Sequence, residues 1–357
     1  MAIKAKRSQA SDVRTRLIAV YSFLLLLNVG GWVCAAIAFH ATPVLLGVAL
    51  LVYGLGLRHA VDADHIAAID NVTRKLMQVG QRPVAVGFFF AAGHSALIIC
   101  ATALIIGTAT LIDRFRAFSS IGGLLSTAAS TVFLYAVAAM NLLIFVSLYR
   151  IYRKVRNGGI YVEEDIDLLL GGRGLLARIF QPVFRLVTQS WHMLPLGILF
   201  GLGFDTATEI AMFGLSAGQA TRGISTAAIM ILPVLFAAGM SLIDTTDGVM
   251  MLGAYHWAFV QPLRKLYYNM TITLVSAVVA ALVAGLEAAG LVGGRFGFTG
   301  YLWEQVKALN SHFNTLGFAI IGLFALAWAL SWVIYRAKRL NHYEVRIEAS
   351  AKPSVNQ

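Results

Sequence analysis

Long apolar blocks alternate with short polar stretches along almost the whole chain. A helix of about 20 apolar residues spans the hydrocarbon core of a bilayer, whereas a membrane β-barrel shows segments of about 10 residues with alternating polarity. The blocks follow the first pattern. They predict an all-α integral membrane protein with eight transmembrane helices, at residues 17–39, 44–69, 83–112, 121–149, 193–219, 225–255, 268–294 and 313–335.

The predicted helices form two groups of four. Helices 1 to 4 occupy residues 17–149, and helices 5 to 8 occupy residues 193–335. A polar cytoplasmic loop at 150–192 joins the groups, a basic arm at 1–16 precedes them and a polar tail at 336–357 follows them. The first apolar block is longer than a signal-peptide core of about 7–15 residues, so we expect it to remain as a helix.

The distribution of charge supports a membrane location and predicts an orientation. Hydrophobic residues make up 59% of the chain and charged residues 13%, and the formal net charge is +11. Most lysines and arginines lie in the N-terminal arm, the 150–192 loop and the C-terminal tail. Because cytoplasmic loops of membrane proteins are rich in these residues, both termini of this multi-pass protein are predicted to be cytoplasmic.

The basic charge does not indicate a nucleic-acid partner. The charges flank the ends of apolar helices, whereas a nucleic-acid surface gathers them on one face. The sequence also contains no G-x4-G-K-[ST] string, so no nucleotide partner is expected. The lipid bilayer is the partner that the composition does predict, and the oligomeric state is left open.

Two short strings of the first half recur in the second half. FAAGHSAL at 90–97 matches FAAGMSLI at 236–243, and VDADHIA at 61–67 matches FDTATEIA at 204–211 with one insertion. Helices 2 and 5 would cross the membrane in opposite directions. The match therefore predicts an inverted repeat of helices 2–3 and 5–6, which in many transporters places the substrate at the repeat interface. Chance similarity of Gly/Ala-rich helices is the alternative.

Helix 2 contains an unusual concentration of ionisable residues, in the string RHAVDADHIAAID at 58–70. A charged residue at the centre of a membrane helix costs about 2.5–3.5 kcal/mol on insertion scales, so such residues mark functional sites. Three-residue spacing predicts that His59, Asp62 and His65 share one helix face. A bend at the upstream glycines of the string YGLG would bring Asp64 to the same site.

The helix 2 residues offer nitrogen and oxygen ligands of the kind that nickel, cobalt and zinc prefer. Thiolates are absent from the predicted site, because Cys34 and Cys100 lie in other helices. Asp62 has a second interpretation, since it could pair with Arg58 four residues earlier.

Three other helices add polar residues in the membrane. His94 in the string GHS is either a ligand, a hydrogen-bond partner of a ligand, or a residue of helix packing. Two pairs of carboxylates are candidates for a cation path or a proton relay. These predicted pathway residues are Asp205, Glu209, Asp244 and Asp247.

Four of these strings together resemble the nickel/cobalt transporter family, abbreviated NiCoT. The helix 2 signature of that family, H-x4-D-H, is matched by His59, Asp64 and His65. The accompanying motifs are matched by GHS at 93–95, LGFDTATEI at 202–210 and GMSLIDTTDG at 239–248. The resemblance covers essentially the whole membrane part of the chain. It implies an eight-helix permease of the inner membrane that imports Ni²⁺, and in some members Co²⁺.

The resemblance also implies roles for individual residues. The signature residues His59, Asp64 and His65 are the family's metal-recognition site. Nickel-preferring members share a valine before the signature aspartate and an asparagine in helix 1, here Val61 and Asn28. These two residues are therefore expected to influence selectivity, and we expect nickel to be preferred over cobalt.

The sequence thus predicts a secondary transporter that imports Ni²⁺ or Co²⁺ through a histidine–aspartate site in helix 2. The metal is the transported substrate, and neither a resident cofactor nor an enzymatic activity is expected. A divalent-metal efflux carrier would use the same ligands and is one alternative. An intramembrane metallohydrolase is another, although the sequence has no H-E-x-x-H motif.

Overall fold

A computed structural model of the protein describes residues 2–107, 112–156, 187–202, 207–220, 222–258 and 262–337. Within these ranges every regular element is a helix and there is no strand. The all-α fold class is thereby confirmed. The helices are α1 Ala2–Phe39, α2 Pro43–His59, α3 Ala63–Gln78, α4 Val86–Gly107, α5 Ile112–Arg156, α6 Met193–Gly201, α7 Ala207–Ala220, α8 Thr226–Ile229, α9 Ile231–Ala258, α10 Pro262–Phe296, α11 Tyr301–Ser311 and α12 Phe313–Ala337.

Five helical segments of the described chain are long and apolar enough to cross a membrane. They lie in α1, α4, α5, the pair α8–α9, and α10. Two more pairs, α2 with α3 and α11 with α12, are bent by 51° and 76°, and each pair could form one span. The chain is therefore a multi-pass membrane protein with five to seven candidate spans in its described part. The number eight and the location of the termini stay predictions.

The ends of the predicted segments differ from those of the helices. The basic arm at 1–16 is continuous with the first span, since α1 begins at Ala2. Within the predicted fifth helix the structure describes two helices, α6 up to Gly201 and α7 from Ala207, and residues 203–206 lie outside the described ranges. An amphipathic helix that the sequence did not predict, α11, precedes α12.

The predicted second helix is interrupted between His59 and Ala63. Asp62 has extended backbone angles, with φ −66° and ψ 144°, and it precedes the first turn of α3. The sequence predicted this bend at the upstream glycines, whereas the structure places it several residues later, so that prediction was wrong. Gly56 serves another purpose: a side chain there would overlap the backbone of Phe236 in α9.

Close helix contacts through glycine hold α4 in the middle of the molecule. A Cβ atom at Gly93 would overlap the backbone of Leu194 in α6, and one at Gly197 would overlap the backbone of Phe90. On its other side, Gly87 lies against the backbone of Asp244 in α9. Small residues permit such contacts between membrane helices. They fix the position of α4 relative to α6 and α9.

Substitution of Gly197 by alanine tests this contact. Gly197→Ala forces α4 and α6 apart, and overpacking of this kind costs about 1–3 kcal/mol. We expect a lower unfolding temperature for the protein in detergent, measured by fluorescence during heating. Gly214→Ala is the matched control, because a Cβ at that helical glycine meets no atom within 4 Å. Equal unfolding temperatures for the two variants would contradict the packing described.

Candidate metal site

Three buried histidine side chains meet at the interruption of the second span. His59 is the last residue of α2, His65 lies in the first turn of α3, and His94 lies in α4. One ring nitrogen from each can be chosen so that all three atoms lie within 4.8 Å of one another. The ring centroids are 4.7 to 5.0 Å apart. The structure thus gathers three potential metal ligands from separate helices.

Carboxylates orient two of these rings, and one nitrogen of each ring stays available for a metal ion. Nδ1 of His59 lies 2.9 Å from Oδ2 of Asp62, and Nδ1 of His65 lies 3.3 Å from both carboxylate oxygens of Asp244. A ring that donates from Nδ1 to a carboxylate keeps a lone pair on Nε2, the usual arrangement of metal-binding histidines. Nε2 of His65 is buried and has no hydrogen-bond partner.

The third ring is paired with an acid from the second half of the chain. Nε2 of His94 lies 2.9 Å from Oε1 of Glu209 in the first turn of α7, and 3.1 Å from Nε2 of His59. Glu209 Oε1 is also 3.9 Å from Nε2 of His59. Glu209, predicted as a pathway residue, therefore contacts the histidine cluster directly. Thr208 adds a hydroxyl 3.1 Å from Nδ1 of His59.

Asp62 contacts one of the three rings through its side chain. Asp62 is buried, and its carboxylate accepts a hydrogen bond from His59 across the interruption. A carboxylate in this position can orient the ring of His59. The expectation that His59, Asp62 and His65 share one face of a continuous helix was wrong, because the helix ends between them.

Asp64 lies close to the cluster without joining the three nitrogens. It is half-buried in the first turn of α3, and its Oδ1 accepts a hydrogen bond from the backbone N–H of His65 at 3.0 Å. A carboxylate at the start of a helix is stabilised by the helix dipole. Asp64 also lines the cavity described below.

The other predicted residues lie farther from the three rings. Asp247 lies one turn beyond Asp244 in α9, and its Oδ2 is buried without a hydrogen-bond partner. Val61 is buried at the interruption itself, where its carbonyl oxygen packs against Gly317 of α12. Asp205 lies outside the described residues.

Asn28 makes its contacts between helices and touches none of the three histidines through a described hydrogen bond. Its amide donates to the carbonyl of Leu24 at 2.8 Å and to the carbonyl of Ala238 at 3.4 Å. The hydroxyl of Tyr53 in α2 donates to its Oδ1 at 2.9 Å. Asn28 thus joins α1, α2 and α9.

Two aromatic rings that were not among the predicted site residues pack against the cluster. Phe90 meets His65 edge-on at 4.8 Å, and Phe236 packs on His59 at 5.6 Å. These residues begin the two repeated strings FAAGHSAL and FAAGMSLI. The shared first letter of the repeated strings is therefore the sequence feature that could have identified Phe90 and Phe236.

An open cavity of about 1200 Å³ leads to the cluster. The buried part of its lining next to the cluster, which we call the floor, includes His59, His94 and Glu209, with Asp62 and Asp64 beside them. The lining also includes Glu287, Trp303 and Asn310, and the exposed residues Arg295 and Lys307. His65 and Asp244 do not line the cavity. They therefore lie behind the two rings that do, those of His59 and His94.

The arrangement is suited to a divalent transition-metal ion. Imidazole nitrogens supplemented by carboxylates match the preferences of nickel, cobalt and zinc. Buried ring nitrogens without partners are energetically costly, and a bound cation would satisfy them. The floor is reachable through a wide cavity, so a hydrated ion can approach and exchange water for ligands there.

Fold and site together define a multi-pass membrane protein with a candidate transition-metal site between its helices. The family model described as high-affinity nickel-transport protein, NicO, matches residues 45–334. The chain belongs to this family, which confirms the resemblance drawn from the motifs.

Several characterised relatives match over most of their length. A high-affinity nickel transport protein of Cupriavidus necator is 56% identical over 93% of this chain and 95% of its own. The hydrogenase nickel incorporation protein HupN of Bradyrhizobium diazoefficiens is 49% identical over 89% of this chain and 83% of its own. The cobalt transport protein NhlF of Rhodococcus rhodochrous is 38% identical over 88% of this chain and 91% of its own. No solved structure matches the chain.

Removal of one ring tests whether the cluster binds metal. We expect His94→Ala to weaken Ni²⁺ binding to the purified protein by more than about 100-fold, beyond the 10–100-fold typical of an orienting partner. Isothermal titration calorimetry measures this. His40→Ala, which changes an exposed histidine at the end of α1, is the matched control and should bind as the wild type does. Unchanged affinity in His94→Ala would exclude the cluster as the site.

Asp62→Ala tests the orienting role of that carboxylate. Loss of the partner of His59 Nδ1 should weaken Ni²⁺ binding by about 10–100-fold and leave the number of coordinating imidazoles unchanged. X-ray absorption spectroscopy of the nickel-loaded protein counts those ligands. If an oxygen ligand disappeared with Asp62, that residue would be a direct ligand instead.

Proposed function

We propose that the protein is a secondary transporter that imports Ni²⁺ across the bacterial cytoplasmic membrane and uses His59, His65 and His94 as its central binding site. The observation that carries this proposal is the meeting of three buried imidazoles, two of which, His59 and His94, line an open cavity. The relatives named for nickel transport, at up to 56% identity, support nickel as the substrate.

The side on which the cavity opens supports import. The exposed residues of its lining include Arg295 at the end of α10 and Lys307 in α11, and we take them as the mouth. These residues lie between the predicted seventh and eighth helices. With both termini in the cytoplasm, that connection faces outward. The described conformation is then the one that loads an importer from outside the cell.

The acidic residues around the cluster complete the proposed pathway. Asp64 and Glu209 face the cavity, and Asp244 and Asp247 follow on the other side of His65. We include Asp205 in this pathway because its motif precedes α7. Binding requires neutral imidazoles and ionised carboxylates, so uptake of the metal is coupled to release of protons from the site.

The membrane potential supplies a driving force in the direction of import. Moving two positive charges inward across 100 mV, negative inside, is favourable by about 4.6 kcal/mol. The absence of a phosphate-binding Gly-rich motif from the sequence supports this source of energy over nucleotide hydrolysis.

Nickel is the preferred ion in this proposal, with Asn28 and Val61 acting on selectivity from outside the coordination sphere. Asn28 bonds to Ala238, two residues after the Phe236 ring that packs on His59. Val61 lies between His59 and His65 and packs through its carbonyl on α12. Both positions can therefore change the spacing of the rings.

The two alternatives have less support. An efflux carrier would share the ligands, but the relatives are named for nickel or cobalt transport and incorporation, and the cavity opens on the proposed outer side. An intramembrane metallohydrolase has no support from the family.

Uptake of radioactive nickel by cells that lack their own nickel transporters tests the proposal. Cells that express the wild type should accumulate nickel at nanomolar supply, and an excess of cobalt should inhibit this only weakly. His65→Ala should abolish accumulation, because it removes both a central ring and the partner of Asp244. His40→Ala should transport as the wild type does.

The same cells distinguish import from export. An importer makes them more sensitive to nickel added to the medium, whereas an exporter makes them more tolerant. Accumulation that persists in His65→Ala, or tolerance that rises with expression, would overturn the proposed function.

A further inference from the structure

A second group of oxygen atoms lies behind the histidine cluster, between α3 and α9. Asp70 of α3 is completely buried and accepts a hydrogen bond from the hydroxyl of Ser276 in α10 at 2.9 Å. Asp247 of α9 lies within electrostatic range of both Asp70 and Asp244. Three carboxylates from two helices therefore face one region of the interior.

A buried hydroxyl without a partner points into the same region. Thr73 lies one turn after Asp70, is completely buried, and its Oγ1 has no hydrogen-bond partner. That oxygen is 3.9 Å from the position of a Cβ at Gly248, so it lies against the turn of α9 that carries Asp247. Oδ2 of Asp247 is also buried without a partner. An unsatisfied buried polar group destabilises the fold, and such a pair needs an explanation.

The position of this group relative to the histidines suggests an order of events. Neither Asp70 nor Asp247 lines the cavity that reaches His59 and His94. His65 connects the two regions, since its ring belongs to the cluster and its Nδ1 lies against Asp244. An ion that enters through the cavity therefore meets the imidazoles first and the carboxylates second.

We propose that Asp70, Asp247 and Thr73 form a second cation site, made of oxygen ligands alone, which receives the ion from the histidine cluster on its way to the cytoplasm. This inference rests on the proposed function for its direction. Oxygen ligands suit harder divalent ions such as Mn²⁺ and hold Ni²⁺ less tightly than imidazoles do. A site on a transport pathway must bind the ion weakly enough to release it.

The competing explanation is a polar network that only joins helices. Close to Asp70, Asn141 donates a hydrogen bond to Asn71, and Arg74 donates one to Thr273 at 2.9 Å. Such contacts stabilise membrane bundles without binding an ion. The two explanations differ in whether the unpartnered oxygens bind a cation, and this can be measured.

Metal binding to the full-length protein in lipid nanodiscs tests the proposal, with Ni²⁺ and Mn²⁺ as the probes. Calorimetry with Ni²⁺ should show a tight and a weaker class of site. Mn²⁺, followed by its electron paramagnetic resonance signal, should fill only the weaker class. His94→Ala should remove the tight class and keep Mn²⁺ binding, because that ring is not part of the oxygen group.

Two variants remove the second site in different ways. Asp247→Asn should weaken Mn²⁺ binding by more than about 100-fold, beyond the 10–100-fold loss typical of an orienting partner. It should leave the tight Ni²⁺ class in place and lower the maximal rate of uptake more than the apparent affinity. Thr73→Val has nearly the same shape and should weaken Mn²⁺ binding by about three- to tenfold without lowering the unfolding temperature. Asp12→Asn, at an exposed carboxylate paired with Arg16, is the control and should change neither property.

The outcomes separate this inference from the proposed function. A wild type that takes up nickel but has a single class of nickel site and binds no Mn²⁺ overturns the second site alone. Mn²⁺ binding that survives both Asp247→Asn and Thr73→Val also overturns it. A wild type that shows both classes of site without nickel uptake overturns the proposed function instead.

Discussion

The interruption of the second span between His59 and Ala63 is the constraint on which the candidate site depends. In a continuous helix, His59 and His65 would be about 9 Å apart along the axis and about 120° apart around it. The interruption brings their ring centroids to 4.7 Å. Irregular backbone inside a membrane must satisfy its own polar groups. Here the N–H groups of Val61 and Asp62 donate to the carbonyls of Arg58 and His59.

The two halves of the chain contribute different chemistry to the site. All three imidazoles come from the first half, whereas Glu209 and Asp244, the acids beside His94 and His65, come from the second. Each ring therefore has one carboxylate within hydrogen-bond distance, and only that of Asp62 is local in sequence. Relative movement of the halves would change the pairing of rings with acids. Such a movement would couple the affinity for a dication to the conformation of the protein, as alternating access requires.

The sequence predicted the all-α fold class and pointed to most of the residues that the structure gathers at the candidate site, because intramembrane ionisable residues are few and costly. It did not predict how the residues meet. The position of the interruption depends on contacts with distant helices, such as Val61 on Gly317 and Gly56 on the backbone of Phe236. The contact of His94 with Glu209 joins residues 115 positions apart, which no local spacing reveals.

Exclusion of copper requires either a suitable geometry of the ligands or a scarcity of copper in the cell, since intrinsic affinities favour copper over nickel at a site of this composition. The ring of His59 is held from one side by Asp62 and from another by Phe236. Phe236 lies two residues before Ala238 in α9, and the carbonyl of Ala238 accepts a hydrogen bond from Asn28. The hydroxyl of Tyr53 in α2 donates a hydrogen bond to the same asparagine. Metal–ligand distances are defined to within about 0.2 Å. A residue that sets the distance between α2 and α9 can therefore influence which ion fits, even though it never touches the metal.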